Sequence, residues 1–381
     1  MDARIGTFTS QKFRFFSFLA MALLVYVHGY DLHERYLQPW SFVDERLTFT
    51  TFVEYLLSNG LLRFRIPILF IISGYLFAFN DRQPYGARIR KRVRTLLVPY
   101  VLWSAIGLVF TLVLQQWEAT AAIVRSAHLQ PFGDVPVARL GIWQLWVSLV
   151  VVPTPFQLWF LRCLFVYNLA YPWIRTAVLR APRATFGVLG VLWVMTFGAW
   201  IFEGEGLLFF TLGVWLCKTE QDIETRPSWF RPVPTAVLWV GLAALKTWLA
   251  FFHDPRLPTG PASTTIARVV ALLFLHKTVV ALGMVVMWYG IDDAVRWAMA
   301  RRWFVWLSGF SFMIYALHVP LLTYAMIWVF PLVEHVPHYR LLVYLLLPTT
   351  VTAVCVLTGA ALRGVAPKLY GVLTGGRGFA A

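Results

Sequence analysis

Residues 14–30 read RFFSFLAMALLVYVHGY, with one cation at the head, one histidine near the tail and an almost unbroken apolar run between them. A helix needs about 20 predominantly apolar residues to cross a hydrocarbon core of about 30 Å. The stretch is therefore read as a membrane span. Nine similar runs follow, at approximately 64–80, 95–115, 156–174, 184–202, 206–217, 233–252, 269–290, 304–330 and 341–362. Segments 48–62 and 139–152 are apolar but short or interrupted by polar residues, as expected of amphipathic helices lying at the membrane surface. Of the 381 residues 59% are hydrophobic and 13% charged, against about 25% charged in soluble domains, and the mean hydropathy is +0.67. A water-soluble enzyme and a disordered chain are both excluded. The expected fold is an all-α polytopic membrane protein of about ten transmembrane helices, one domain over 1–381, with a short tail at 363–381. No small-residue cleavage site follows the first run, which is expected to be retained. The loops 31–47, 116–138 and 253–267 are too short for a soluble domain, so chemistry has to sit within the bundle or at its mouths.

A net charge of +15 would suggest nucleic acid in a soluble chain. In a membrane chain it is first tested against the excess of Lys and Arg on the cytoplasmic side. With the N-terminus inside, 21 of the 33 basic residues fall on cytoplasmic segments and 9 on outer ones, leaving Arg162, Lys246 and Lys277 within spans. The asymmetry supports ten spans with both termini cytoplasmic, and no nucleic-acid partner is needed. The cysteines Cys163, Cys217 and Cys355 have no metal-ligand spacing and read as small core residues.

Ionisable groups within spans are costly and are functional candidates for that reason. His28 stands foremost, near the outer end of the first span, with Asp31 three positions on and so on the same side if the helix continues. An imidazole oriented by a carboxylate can take a proton from a hydroxyl, although a histidine at a helix end can equally be meeting interfacial water. Arg63 and Arg65 precede Pro67 on the outer side, against the charge rule, and either pair with acids such as Glu54, face a polar cavity or snorkel. Ser73 and Tyr75 follow on the same helix. The run Arg88, Arg90, Lys91, Arg92, Arg94 could hold phosphates through bidentate guanidinium bonds. A juxtamembrane basic stretch also attracts anionic lipid with no other ligand. Arg162, His276 and Lys277 are further intramembrane cations, and Tyr315 and His318 share a helix face. His335 and His338 alone make a weak metal site, and no metal is expected.

Together these pieces resemble the integral-membrane acyltransferase 3 family over most of the chain. The resemblance is carried by Val27-His28 at the end of the first helix, Arg63-Phe64-Arg65-Ile66-Pro67 leading to Ile72-Ser73-Gly74-Tyr75, and the basic stretch closing in Leu96-Leu97-Val98-Pro99-Tyr100. Leu158-Trp159-Phe160-Leu161 and Ser311-Phe312 with Tyr315 and His318 support it. It implies a bacterial cytoplasmic-membrane O-acyltransferase that moves acetyl from acetyl-CoA to a sugar hydroxyl of a surface or exported polysaccharide or its lipid-linked precursor. It also implies that His28 is catalytic. The family usually places an Arg or Lys eleven positions before that histidine; Ser17 stands there here, and Arg14, about one turn earlier, is the expected substitute. Lys91 and Arg94 give the nearest match to an Arg-x-x-Arg pattern, and Arg63 matches the arginine before the proline. In the expected mechanism His28 is general base, Asp31 orients it, Arg63 or Tyr75 stabilises the oxyanion, and Arg14, Arg88, Arg90, Lys91, Arg92 and Arg94 hold the CoA phosphates. Arg65, Ser73, Arg162, His276, Lys277, Tyr315 and His318 are expected to line the acceptor side. The alternative is a transporter for an acidic or glycan substrate, using the same intramembrane cations.

Overall fold

The computed structural model describes residues 5–30, 42–199, 202–251 and 262–378. They form an all-α bundle with one two-residue strand pair at Gly198–Ala199 and Phe202–Glu203. Ten helices correspond to the ten apolar runs: α1 Thr7–His28, α2 Phe49–Phe79, α3 Tyr85–Leu114, α4 Phe156–Arg180, α5 Pro182–Val194, α6 Gly204–Lys218, α7 Pro232–Phe251, α8 Ala262–Gly290, α9 Ser311–Val333 and α10 Tyr339–Val365. Seven of these are long and apolar enough to cross a bilayer alone. An eighth counts if α4 and the preceding segment Ile142–Val151, bent against it by 61°, form one span. At 13 and 15 residues, α5 and α6 reach only about 20 Å and 22 Å.

On the bent arm, within the segment 139–152, Ile142, Trp143 and Trp146 are exposed. Segment 48–62 differs from its expectation. It is the first half of α2, entering the bundle through a wide turn at Leu56–Gly60 and a tight one at Leu61–Phe64. Its polar residues Glu54, Ser58 and Asn59 are buried, and the polarity of Glu54 and Ser58 serves internal partners, Arg340 and the Glu54 carbonyl, rather than water.

Ion pairs gather the segments between helices onto one basic face. Asp81, in the turn between α2 and α3, holds Lys218 at 2.7 Å and Arg88 and Arg175 at 2.9 Å. Burial pushes its pKa up, but the bond to Lys218 and the surrounding cations outweigh burial and hold the carboxyl below its ordinary range. Asp292 receives Lys12 at 2.7 Å and Arg226 at 3.7 Å. On the opposite face Arg340 bridges Glu45 and Glu54, at 3.0 Å each.

The closest crossing is α2 on α6. A Cβ built at Gly74 would run into the backbone of Phe210, and one at Gly213 into the backbone of Ile71. Small residues let helix backbones approach within membranes, which gives Ser73-Gly74-Tyr75 a packing reason. Gly213→Ala is expected to cost about 3 kcal/mol through overpacking against immovable main chain, read as a lower unfolding temperature in detergent. Gly187→Ala, open on every side, serves as the comparison.

Candidate active site

Three of the ten helices are broken where the candidate residues gather, α2 over 56–64, α3 in a wide turn at Val93–Leu97 ahead of Pro99, and α9 at Val319, and each break frees backbone carbonyls. In α9, Val319 leaves the helical conformation ahead of Pro320, which has no N–H to donate. The released carbonyls are taken by side chains. Gln157 Nε2 donates to Tyr315, Ala316 and Val319 at 3.3, 3.1 and 3.1 Å, and Tyr315 returns its hydroxyl to the Gln157 carbonyl at 2.7 Å. His318 Nδ1 lies 2.9 Å from both the Ile314 and Tyr315 carbonyls. Carbonyls only accept, so the proton sits on Nδ1 and Nε2 is left as a base. Nε2 is buried and has no hydrogen-bond partner among the described residues.

His28 closes α1 directly beside it. The two imidazoles stack with centroids 5.6 Å apart and planes 25° from parallel, and Phe156 meets His28 edge-on at 5.1 Å. Asp31 lies outside the described residues.

The break in α2 supplies the charge. Arg63 Nε donates to the Ser58 carbonyl at 3.1 Å, Arg65 Nη1 to that of Leu62 at 2.8 Å, and Lys246 Nζ to that of Asn59 at 2.6 Å. None of the three has a carboxylate within ion-pair distance among the described residues. The fields of Arg63 and Arg65 reach the His28 ring, and that of Arg65 also reaches His318. His276 is buried within the fields of Lys246, Arg63 and Lys277. Lys277 differs from the others, lying 3.7 Å from Glu205 and over the Trp193 ring. Beside the histidine pair, then, is buried positive charge with no carboxylate at ion-pair distance among the described residues.

A cavity of about 220 Å³ runs toward this site from the basic face. At its inner end are Met21, Leu69, Phe160 and Tyr315. They lie seven, four, four and three residues from His28, Arg65, Phe156 and His318 along their own helices, or roughly 5–10 Å of rise. At its other end are the guanidiniums of Arg92 and Arg377, with Ser17, Ser73 and Asn168 on the walls. Burial lowers the Arg377 pKa to about 10, and the Arg92 charge pushes the same way; at neutral pH the group stays charged.

The structure thus brings His28, His318, Arg63 and Arg65 together, and leads Ser73, Tyr315 and Arg92 into the adjoining cavity. Other candidates are engaged elsewhere. Arg14 bonds Ser308 Oγ at 2.7 Å and the Val305 carbonyl at 2.6 Å. Arg88 is spent on Asp81 and the Phe77 carbonyl, while Arg90, Lys91 and Arg94 are exposed. Arg162 braces the bent arm through the Val151 carbonyl. Tyr75 packs on Phe13 at 5.4 Å, fifteen residues and roughly 22 Å of helix from His28, and does not reach it. It lines a second, apolar cavity of about 180 Å³ with Trp288 and Tyr289. Sequence reading missed Gln157 as the brace of the α9 break. It also counted Arg377 only as one more inside cation; its flanking glycines, Gly375-Gly376 and Gly378, were the available signal.

The model of the acyltransferase 3 family, described as an acyltransferase domain, matches residues 13–360. The chain belongs to that family. As an acyltransferase 3 protein it is a multi-pass membrane acyltransferase, and its matched stretch contains both histidines and all three breaks. Among curated proteins it is similar to the succinoglycan biosynthesis protein ExoH of Rhizobium meliloti (strain 1021), at 26% identity over 385 residues, covering 99% of this chain and 94% of the relative. No solved structure matches.

Proposed function

We infer that this acyltransferase 3 protein O-acylates a sugar hydroxyl of a surface or exported polysaccharide, or of its lipid-linked precursor, drawing acetyl from acetyl-CoA. The basic face is cytoplasmic in this reading and the membrane is the bacterial inner membrane, in keeping with the excess of Lys and Arg there. The observation that carries it is the alignment of the His28–His318 pair with a cavity that ends in two guanidiniums: a thioester arm entering between Arg92 and Arg377 would point its acyl end at the imidazoles. Similarity to a succinoglycan biosynthesis protein supports a polysaccharide acceptor.

In the proposed reaction the sugar oxygen attacks the thioester carbonyl carbon while its proton passes to His28. The oxyanion forms beside Arg65 and Arg63. The carbon–sulfur bond then breaks, and the CoA thiolate leaves with the proton held by His28. His318, whose tautomer its carbonyl bonds fix, packs the His28 ring and supplies an acceptor within the site. Purified protein supplied with acetyl-CoA labelled in the acetyl group and with lipid-linked or polymeric glycan should move label onto the glycan and release free CoA in equal amount. CoA release with label only in water, or flux of glycan across vesicles with no transfer, would count against the reading.

A further inference from the structure

The last part of the chain lies beyond the matched stretch 13–360 and is built into the cavity. After α10, the helix Pro367–Thr374 packs on α3, where Trp103 Nε1 donates to the Leu373 carbonyl at 3.0 Å. The chain then turns through Gly375, Gly376 and Gly378, each with positive φ, at 61°, 79° and 85°. A Cβ at Gly375 would come within 2.6 Å of the Thr95 carbonyl, and one at Gly378 would strike the Gly309 backbone. Both positions therefore require glycine for conformation and for space. Arg363 Nη1 holds the Gly378 carbonyl at 3.0 Å, and Thr374 Oγ1 holds that of Arg377 at 3.0 Å. The hook has one outward product, the Arg377 side chain. Its Nη1 takes the Thr95 carbonyl at 2.8 Å, which Pro99, four residues on, cannot engage because it has no N–H. The guanidinium lies over the Phe312 ring at 4.8 Å and enters the cavity that Arg92 lines.

Two guanidiniums facing one cavity repel each other, and neither has a carboxylate partner among the described residues. The remaining walls are largely apolar, so a ligand has to supply the compensating charge. We propose that the Gly375–Gly378 hook and Arg92 form a phosphoryl-binding site, with Arg377 as its C-terminal clamp. Guanidinium suits this ligand because its fixed fork of N–H donors matches phosphate oxygens. Resting on the acyl-CoA reading for its source, the site would hold a phosphate of the donor while the thioester arm lies in the cavity. The tail then contributes to donor recognition what the basic run of α3, mostly exposed or spent on Asp81, does not.

Full-length protein in phosphatidylcholine nanodiscs, titrated with CoA and with pantetheine, which lacks phosphate, tests this. Arg377→Gln should weaken CoA roughly tenfold or more and leave pantetheine unchanged, and Arg377→Lys should recover part of the loss. Unchanged CoA affinity in Arg377→Gln, or equal loss of both ligands, overturns the proposal. If the wild type binds no CoA, the acyl-CoA reading falls by itself, and the site is then read from phosphatidylglycerol retained in native mass spectra. Retention lost in Arg377→Gln supports a lipid phosphate as the occupant, and equal retention overturns the site.

Discussion

His28→Ala, folded and inserted at wild-type levels, should lose acyl transfer by roughly three orders of magnitude in kcat, within the range expected when a positioned general base is removed. The expectation rests on position. His28 ends α1 against the His318 ring, with Arg65 as a charge neighbour of both, about two turns beyond Met21 at the inner end of the cavity. Donor binding should survive, because the phosphate-binding end of that cavity adjoins Ser17, eleven residues and roughly 16 Å earlier on α1. The measurement is a pair, initial rate of labelled acetyl transfer and CoA affinity on one preparation. A rate fall at constant CoA affinity is the expected result. A wild-type rate in the folded variant would remove His28 from the chemistry and leave His318, with its free Nε2, as the base to examine. Loss of both together would mean that the alanine had collapsed the bundle, which His28→Gln, keeping most of the side-chain volume, separates from a chemical effect.

What the sequence made legible was whatever depends on local composition. Apolar runs placed the helices, because a lipid-facing helix has to be apolar over its full length whatever it packs against, though among the described residues only seven, or eight with the bent pair, are long and apolar enough to cross a bilayer. The excess of cations grouped the right loops: Lys12, Arg88, Arg175, Lys218 and Arg226 do converge, on Asp81 and Asp292. His28, Arg63 and Arg65 stood out because ionisable groups in apolar surroundings are costly. Which cation serves ligand and which serves structure was not legible, since that depends on partners distant in the chain. Arg88 is taken by an aspartate seven residues back, Arg14 by a serine nearly three hundred residues on. At Ser17, where the family resemblance implies a basic side chain, the cavity is also lined by Arg377, distant in the chain; the glycines around Arg377 signal a turn but not the cavity into which it leads. The broken helices were only half legible. Prolines 99 and 320 mark two of them, but the side chains that cap the carbonyls freed there, Arg377 and Gln157, come from other elements.

Arg65→Gln is the second large effect expected, a fall in kcat of roughly a hundredfold to a thousandfold, the usual consequence of removing one preorganised stabiliser of an oxyanion. Arg65 is 3% exposed, and among the described residues its hydrogen bond is to the Leu62 carbonyl, which accounts for one of its five donors. A buried cation held by a carbonyl alone keeps most of its charge for whatever forms nearby. During transfer the thioester oxygen becomes negative, and no carboxylate among the described residues lies within ion-pair distance of Arg65. The effect should therefore fall on kcat, with CoA affinity unchanged and the acceptor KM moved only severalfold, because the charge appears in the transition state and not in the bound substrates. Arg65→Lys keeps the charge but loses the fork, and should recover part of the rate. A purely structural role for Arg65, capping Leu62 at the α2 break, predicts the reverse pattern: a lowered unfolding temperature in both variants, with the fraction that remains folded working at full rate. Measuring kcat per folded molecule decides between the two, and an unchanged value for Arg65→Gln would assign the buried charge to the helix break rather than to the oxyanion.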